Sequence, residues 1–170
     1  MKARYATATL VSEERSRAEI ERMLRVDFSA SACASGYMPH SDHEIAFVTF
    51  RMYDRSIRIM IRMPYLNDVM ITNAGRRRSK IVALKVLAQE RRQRWRSLWL
   101  SIRSKFDRIA SELTEDERIE MFRREFLADT VVGQNQTVFE VMGPRIDDAY
   151  LHGGLPNLSL PGAGETSAED

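Results

Sequence analysis

The stretch SKIVALKVLAQERRQRWRSLWLSIRSKFDRIASEL, residues 79–113, decides the fold. Apolar residues recur in it at spacings of three and four, which at 100° per helical residue places them on one stripe. Because Ser79 is a favourable N-cap residue, the pattern predicts one amphipathic helix from Ser79 to about Leu113, roughly 50 Å long. The predicted stripe contains Leu84, Ala88, Trp95, Leu98, Trp99, Ile102, Phe106, Ile109 and Leu113.

Arg91 interrupts the apolar stripe one turn before Trp95. Its position predicts a break in the helix near residues 89–92, or a guanidinium at the edge of the core. Such a group could pair with an acid such as Glu90 or Asp68, or reach a ligand. We favour the structural explanations.

Two segments upstream of this helix have the patterns of β-strands. Residues 44–52 (EIAFVTFRM) are rich in β-branched and aromatic residues, and residues 56–63 (SIRIMIRM) alternate between apolar and polar side chains. That period of two predicts a half-buried strand, and a turn at residues 53–55 would join the two strands in a hairpin. Residues 29–36 are a candidate third, edge strand, and residues 37–43 are predicted to be a loop.

The remaining segments are predicted to be helical. Ser12 is expected to cap a first helix that ends near Arg25. Capping boxes at Thr114 and Thr137 begin two further helices, with a turn or short hairpin around Gly133 between them. Pro144 should kink or split the last helix.

The sequence therefore predicts an α+β fold. A small antiparallel sheet of two or three strands packs against one long amphipathic helix, and further helices follow towards the C-terminus. We expect a loose N-terminal leader at 1–10, a single α+β domain at 11–155 and a flexible tail at 156–170. The tail is small, polar and acidic, which is typical of disorder.

The composition excludes some classes of function but does not choose among the remaining ones. The chain has 170 residues, a net charge of +2 and one cysteine, which excludes an intrachain disulfide. Neither the apolar run of a signal peptide nor a membrane-spanning stretch occurs, so a soluble cytoplasmic protein is the expectation. No nucleotide-binding, hydrolase or metalloprotease motif occurs, so we expect no enzymatic activity and no cofactor.

The strongest candidate site is a basic surface. Four cationic residues at spacings of seven, four and seven line one strip of the long helix, and three consecutive arginines precede its N-terminus, where backbone N–H groups attract phosphate. Two strand arginines could extend the surface, and the whole could hold a nucleic-acid backbone. The alternative is a solvated face of an arginine-rich protein. The candidate residues are Lys85, Arg92, Arg96 and Arg103 on the helix, Arg76, Arg77 and Arg78 before it, and Arg58 and Arg62 on the strand.

Two weaker candidates accompany this surface. Trp95 and Trp99 lie four residues apart and could stack on bases, although their place in the apolar stripe favours core packing. The residues His40, Asp42, His43 and Glu44 form the one metal-like cluster of the sequence. A polar loop before a strand explains that cluster equally well, so metal binding stays open.

Several segments resemble a family of short, mostly uncharacterised bacteriophage and prophage proteins. They are VSEERSRAEIERML (11–24), NAGRRRS (73–79), QRWRSLWLSIRSKF (93–106), EFLADTVV (125–132) and TVFEVMGPRIDDAY (137–150). The resemblance implies no defined activity and no residue roles. A phage setting favours work in DNA replication, recombination or counter-defence, in the cytoplasm of the host cell.

Two main functions follow as hypotheses, and a metal-dependent enzyme is the weakest, third one. The first is a phage-type nucleic-acid-binding accessory protein, acting on single-stranded DNA or in recombination or replication through arginine–phosphate contacts. The second is a protein-interaction module that uses the long amphipathic helix. If the chain is an oligomeric assembly factor, its partner would be a further copy of the chain. If it is an inhibitor, its partner would be a host defence enzyme.

Overall fold

The computed structural model describes residues 9–40 and 43–152. Residues 1–8 of the predicted leader, Asp42 and the predicted tail at 156–170 lie outside these ranges. The elements in chain order are α1 (Glu13–Arg22), a π-helical turn (Met23–Asp27), β1 (Ser31–Pro39), β2 (Glu44–Met52), β3 (Arg55–Met63), α2 (Leu66–Met70), α3 (Lys80–Ala110), α4 (Glu115–Glu125), β4 (Val131–Val132), β5 (Gln136–Thr137) and α5 (Val138–His152). The predicted α+β class is confirmed.

The main sheet is antiparallel, with strand order β1-β2-β3. A two-residue turn joins β2 to β3, and both of its residues, Tyr53 and Asp54, have positive φ (46° and 59°). This is the turn geometry whose twist matches that of paired strands. Because Arg55 already pairs with Met52, the turn is one residue shorter than the sequence predicted.

Strand β1 extends further than its sequence suggested. Tyr37, placed by prediction in a loop, pairs with Ala46 of β2. The hydroxyl of Tyr37 donates to Glu13 of α1 and accepts a hydrogen bond of 2.6 Å from Nε1 of Trp95. Contacts from distant parts of the chain therefore hold this polar segment in the sheet.

Helix α3 is continuous through the predicted break at residues 89–92. The hydroxyl of Ser79 accepts from the backbone N–H of Val82 and so caps the helix, which has 31 residues and a length of about 46 Å. The predicted stripe is wrong at both ends: Leu84 is about half exposed, and Leu113 is exposed and lies beyond the last helical turn. The buried residues Trp95, Leu98, Ile102, Phe106 and Ile109 form the core face of α3.

The core lies between this face and the inner side of the sheet. Val48, Phe50 and Ile57 come from the sheet, and Ile20 and Leu24 come from α1 and the turn that follows it. Burial of one such large apolar side chain contributes about 1.5–3 kcal/mol. Four phenylalanine rings close the core at the C-terminal half of α3, with centroid separations of 5.0–6.4 Å: Phe50, Phe106, Phe122 and Phe126.

The C-terminal elements follow the predicted caps. Both predicted capping boxes form, at Thr114 with Glu117 and at Thr137 with Glu140. The predicted short hairpin is β4–β5, but its turn is made by residues 134 and 135, with φ of 59° and 60°, rather than by Gly133. Helix α5 runs on through Pro144 without being split. Among the described residues, no helix is long and apolar enough to cross a membrane.

Candidate nucleic-acid interface

Two of the nine predicted phosphate-binding residues are fixed in close ion pairs. The first, Arg58 of β3, is only 14% exposed; its Nη2 lies 2.9 Å from Glu140 and donates to the carbonyl of Asn135 at 2.7 Å. Burial would raise the pKa of Glu140, but the Thr137 hydrogen bonds and the Arg58 charge hold this pKa below its usual value. Arg58 therefore fastens the edge strand to the start of α5.

The second close ion pair joins α3 to α1. Nη1 of Arg96 lies 2.5 Å from Glu19, whose carboxylate also meets Nε of Arg15 at 3.1 Å. Burial would raise the pKa of Glu19, but the two arginines lower it. The Arg96 guanidinium also lies 3.9 Å from the ring centroid of Trp99, a cation–π contact.

Neither tryptophan presents a free ring for base stacking. Trp95 is fully buried, which confirms its predicted place in the core. Trp99 is half-buried and packs against the core, and both Arg96 and Arg103 lie over its ring. The two guanidinium groups therefore cover part of the Trp99 ring.

Two more predicted residues make loose surface pairs. Arg62 lies 3.9 Å from Asp68, and Arg103 lies 3.7 Å from Asp107, with all four side chains well exposed. Pairs of this kind contribute little and leave much of each charge facing water. Arg103 is also 18 residues, about 27 Å, along α3 from Lys85, so it lies far from the cations at the start of the helix.

Arg78 is bound to the backbone of its own connector. Its Nη1 donates to the carbonyls of Val69 at 2.7 Å and Ile71 at 3.0 Å, and its backbone N–H donates to Met70 at 2.7 Å. These bonds close the loop between α2 and α3, which also contains Gly75 at a φ of 75°. Arg78 therefore positions the loop that precedes α3.

The remaining predicted residues have no carboxylate partner among the described residues. Arg92 donates twice to the neutral Oε1 of Gln89, at 3.2 and 2.6 Å. The side chains of Arg76, Arg77 and Lys85 are exposed and have no ion-pair or hydrogen-bond partner among residues 9–40 and 43–152.

Lys80, which the sequence did not single out, shares this state. It is the first residue of α3, so its nearness to the arginine run was the available signal. We call the set Arg76, Arg77, Lys80 and Lys85 the basic end. Arg77, Arg78 and Lys80 line an open cavity of about 690 Å³ there.

The basic end also carries exposed aliphatic side chains. Ile81 is 70% exposed and Ile71 is 61% exposed, and Val82 and Leu84 are about half exposed. Of the first five residues of α3, Ala83 alone is buried. A helix with apolar residues around its whole circumference is ordinarily covered by other groups, so this end has the composition of a contact surface.

Arg91, unlike the residues of the basic end, is held by two carboxylates. Its Nη1 lies 2.7 Å from Glu44 and its Nε 3.3 Å from Glu13, while its guanidinium lies 4.8 Å from the Tyr37 ring centroid. An ion pair at the edge of the core was predicted, but Glu90 and Asp68 as partners were wrong. Burial alone would lower the pKa of Arg91; the hydrogen bonds to Glu44 and Tyr37 and the charge of Glu13 raise it instead.

The metal-like cluster is only partly described, because Asp42 lies outside the described residues. The rings of His40 and His43 lie 4.3 Å apart, and the Glu44 carboxylate is bound by Arg91. Within the described ranges, no three histidine, cysteine or acidic side chains converge as a metal site would require.

No protein-family model, curated protein or solved structure matches the chain.

Proposed function

We propose that the chain is a nucleic-acid-binding accessory protein, of the kind that acts on single-stranded DNA or in recombination or replication, and that it contacts phosphates with the basic end. One observation carries the proposal. Arg76, Arg77, Lys80 and Lys85 face water without a carboxylate partner among the described residues, whereas Arg58, Arg91 and Arg96 are each held by an acid.

The chemistry of the basic end suits a polyanion. A guanidinium group can donate two parallel hydrogen bonds to the oxygens of one phosphate, and the lysine ammonium adds a compact point charge. The N-terminus of α3 contributes its dipole and unpaired backbone N–H groups beside Lys80. Since such contacts address phosphates and not base edges, binding should be strongly salt-dependent and nearly independent of sequence.

The test compares two double variants that lose the same charge. Arg76→Ala/Arg77→Ala removes the loop arginines of the basic end, whereas Arg22→Ala/Arg123→Ala removes two exposed arginines of α1 and α4 that have no ion-pair partner among the described residues. Affinity for a fluorescein-labelled oligodeoxythymidine is measured by anisotropy at low salt.

We expect the first variant to weaken binding by about tenfold, at roughly 0.7 kcal/mol per phosphate contact, and the second to change it by less than about twofold. Equal losses in the two variants would contradict the site. An absence of DNA binding by the unmodified chain would contradict the function.

The exposed aliphatic residues favour a second candidate, a protein-interaction module. Ile71, Ile81, Val82 and Leu84 surround the same cations, and aliphatic side chains gain nothing from a phosphate backbone. The partner would be another copy of the chain or a host protein.

Light scattering after size exclusion separates the two candidates. A stable oligomer that does not bind DNA, and that dissociates in Ile81→Ser/Leu84→Ser, supports the interaction module. A monomer that binds DNA supports the first proposal.

A further inference from the structure

The open edge of the main sheet lies along β3, and its free backbone groups can be assigned from the pairing. The two-residue turn makes Met52 and Arg55 a hydrogen-bonded pair, so the odd-numbered residues of β3 bond to β2 and the even-numbered residues face outward. At each end of the edge one outward group is occupied. The N–H of Arg58 donates to the carbonyl of Asp129 at 2.8 Å, and Arg94 donates to the carbonyl of Arg62 at 2.8 Å.

Met60 lies between these two blocked positions. Its outward N–H and C=O have no partner among the described residues. The segment around Thr130 already occupies the neighbouring strand position at the start of β3, where it forms an antiparallel bridge with Ile57, and then leaves the edge. Room for about four residues of an added strand remains, at 3.3 Å per residue.

A groove of about 560 Å³ runs between this edge and α3. Ile59 and Ile61 form its sheet side and are half-buried, while the flanking residues Ile57 and Met63 of the same face are fully covered. Leu98 and Ile102 form the floor, and Ser101 lies on the α3 rim. The sheet side and the floor of the groove are therefore apolar, whereas the rest of its lining is polar and includes Glu90, Arg94, Lys105 and Asp129. Met60 lies in β3 between Ile59 and Ile61, the two strand residues that line the groove.

We propose that this edge binds an extended peptide segment of a partner protein as an additional antiparallel strand. The residue opposite Met60 would exchange two backbone hydrogen bonds with it, and the residues on either side would point inward beside Ile59 and Ile61. The inward pair should be aliphatic. The residue opposite Met60 shares the outer face with Arg62 and lies near Arg94, which has no carboxylate partner among the described residues, so it should be acidic.

A second copy of the chain fits this edge poorly. Antiparallel pairing of two β3 strands about Met60 would set Arg58 of one copy against Arg62 of the other, twice across the dyad. Like charges directly opposite each other destabilise a strand pair. The short gap between Asp129 and Arg94 also favours a single thin strand over a second domain.

The probe is a fluorescein-labelled tripeptide, valine–glutamate–valine with blocked ends, titrated with the full chain. We expect saturable binding with a Kd on the order of 0.1–1 mM. Methylation of the glutamate backbone nitrogen should weaken binding about tenfold, because it removes one hydrogen bond to Met60 and inserts a methyl group into the ladder. Lysine in place of the glutamate should also weaken it.

Two protein variants with matched controls locate the site. Met60→Pro removes the outward N–H while leaving the bonds to β2, and should abolish binding, whereas Met60→Val should stay within about twofold of the unmodified chain. Ser101→Trp fills the groove while leaving the sequence of β3 unchanged, and Ser104→Trp places the same ring on α3 at a position outside the groove lining.

The inference is overturned by an absence of saturable binding, by equal binding of the methylated peptide, or by retained binding in Met60→Pro or Ser101→Trp. A drop in molar mass of Met60→Pro on light scattering would show that a second copy occupies the edge, which also overturns it. Because Arg76 and Arg77 play no part here, these outcomes are independent of the proposed DNA binding.

Discussion

The two ends of α3 carry similar residue types in opposite surroundings. In the C-terminal two-thirds of the helix, the side chains of Trp95, Leu98, Ile102, Phe106 and Ile109 are buried, and Arg91 and Arg96 are bound by acids from α1 and β2. In the first turns, Ile81 and Leu84 are exposed and the nearby cations have no partner among the described residues. Charge at the packed end therefore stabilises the fold, and charge at the basic end is free to bind a ligand.

The largest expected effect comes from a matched pair of leucines on the same helix. Leu98→Ala empties a core position that is 7% exposed and should lower the free energy of unfolding by about 3 kcal/mol. Leu84→Ala truncates a side chain that is 47% exposed and should cost less than about 1 kcal/mol. Urea unfolding measures both. Equal losses would show that the first turns of α3 are packed as tightly as the rest.

A second pair compares arginines. Arg91→Met leaves Glu13 and Glu44 half-buried without their cation and should destabilise the chain by about 2 kcal/mol, below the cost at a fully buried pair because both acids retain some solvent. Arg77→Met should change stability by less than about 0.5 kcal/mol. The comparison fails if Arg91→Met unfolds at the same urea concentration as the unmodified chain.

The smallest expected stability effect concerns pH. The pKa of Glu19 is lower in the folded chain than its ordinary value, so its stabilisation is present above the unfolded pKa and is lost as the pH falls through the folded pKa. Relative to Glu19→Gln, the unmodified chain should lose an additional ~0.5 kcal/mol, a figure reduced for partial exposure, as the pH falls below about 5. If the urea midpoint depends on pH in the same way in both proteins, this prediction is contradicted.

The sequence was sufficient for elements whose cause is local. The apolar period of α3, the cap at Ser79, the capping box at Thr114 and the alternation of β3 all depend on residues within a few positions of one another. Each of these was predicted, and each is present. The exposed ends of the stripe were missed because periodicity defines a face but does not specify whether another element covers it.

The state of the arginines could not be predicted in this way. Arg96 meets an acid 77 residues away, and Arg58 meets one 82 residues away. The spacing of cationic residues along one helix does not show which acids approach them from distant parts of the chain. The same holds for Tyr37, whose place in β1 depends on Trp95 and Glu13. Distinguishing a structural from a free guanidinium required the tertiary fold.

The measurement that tests this contrast most directly is the salt dependence of single-stranded DNA binding. The variant removes all four cations of the basic end, Arg76→Ala/Arg77→Ala/Lys80→Ala/Lys85→Ala, and its affinity for oligodeoxythymidine is followed across a series of salt concentrations. At about 0.7 per phosphate contact, the slope of log K against log salt should fall in magnitude by up to about 2.8 from that of the unmodified chain. An unchanged slope would contradict the account, because the phosphate contacts would then lie elsewhere on the protein.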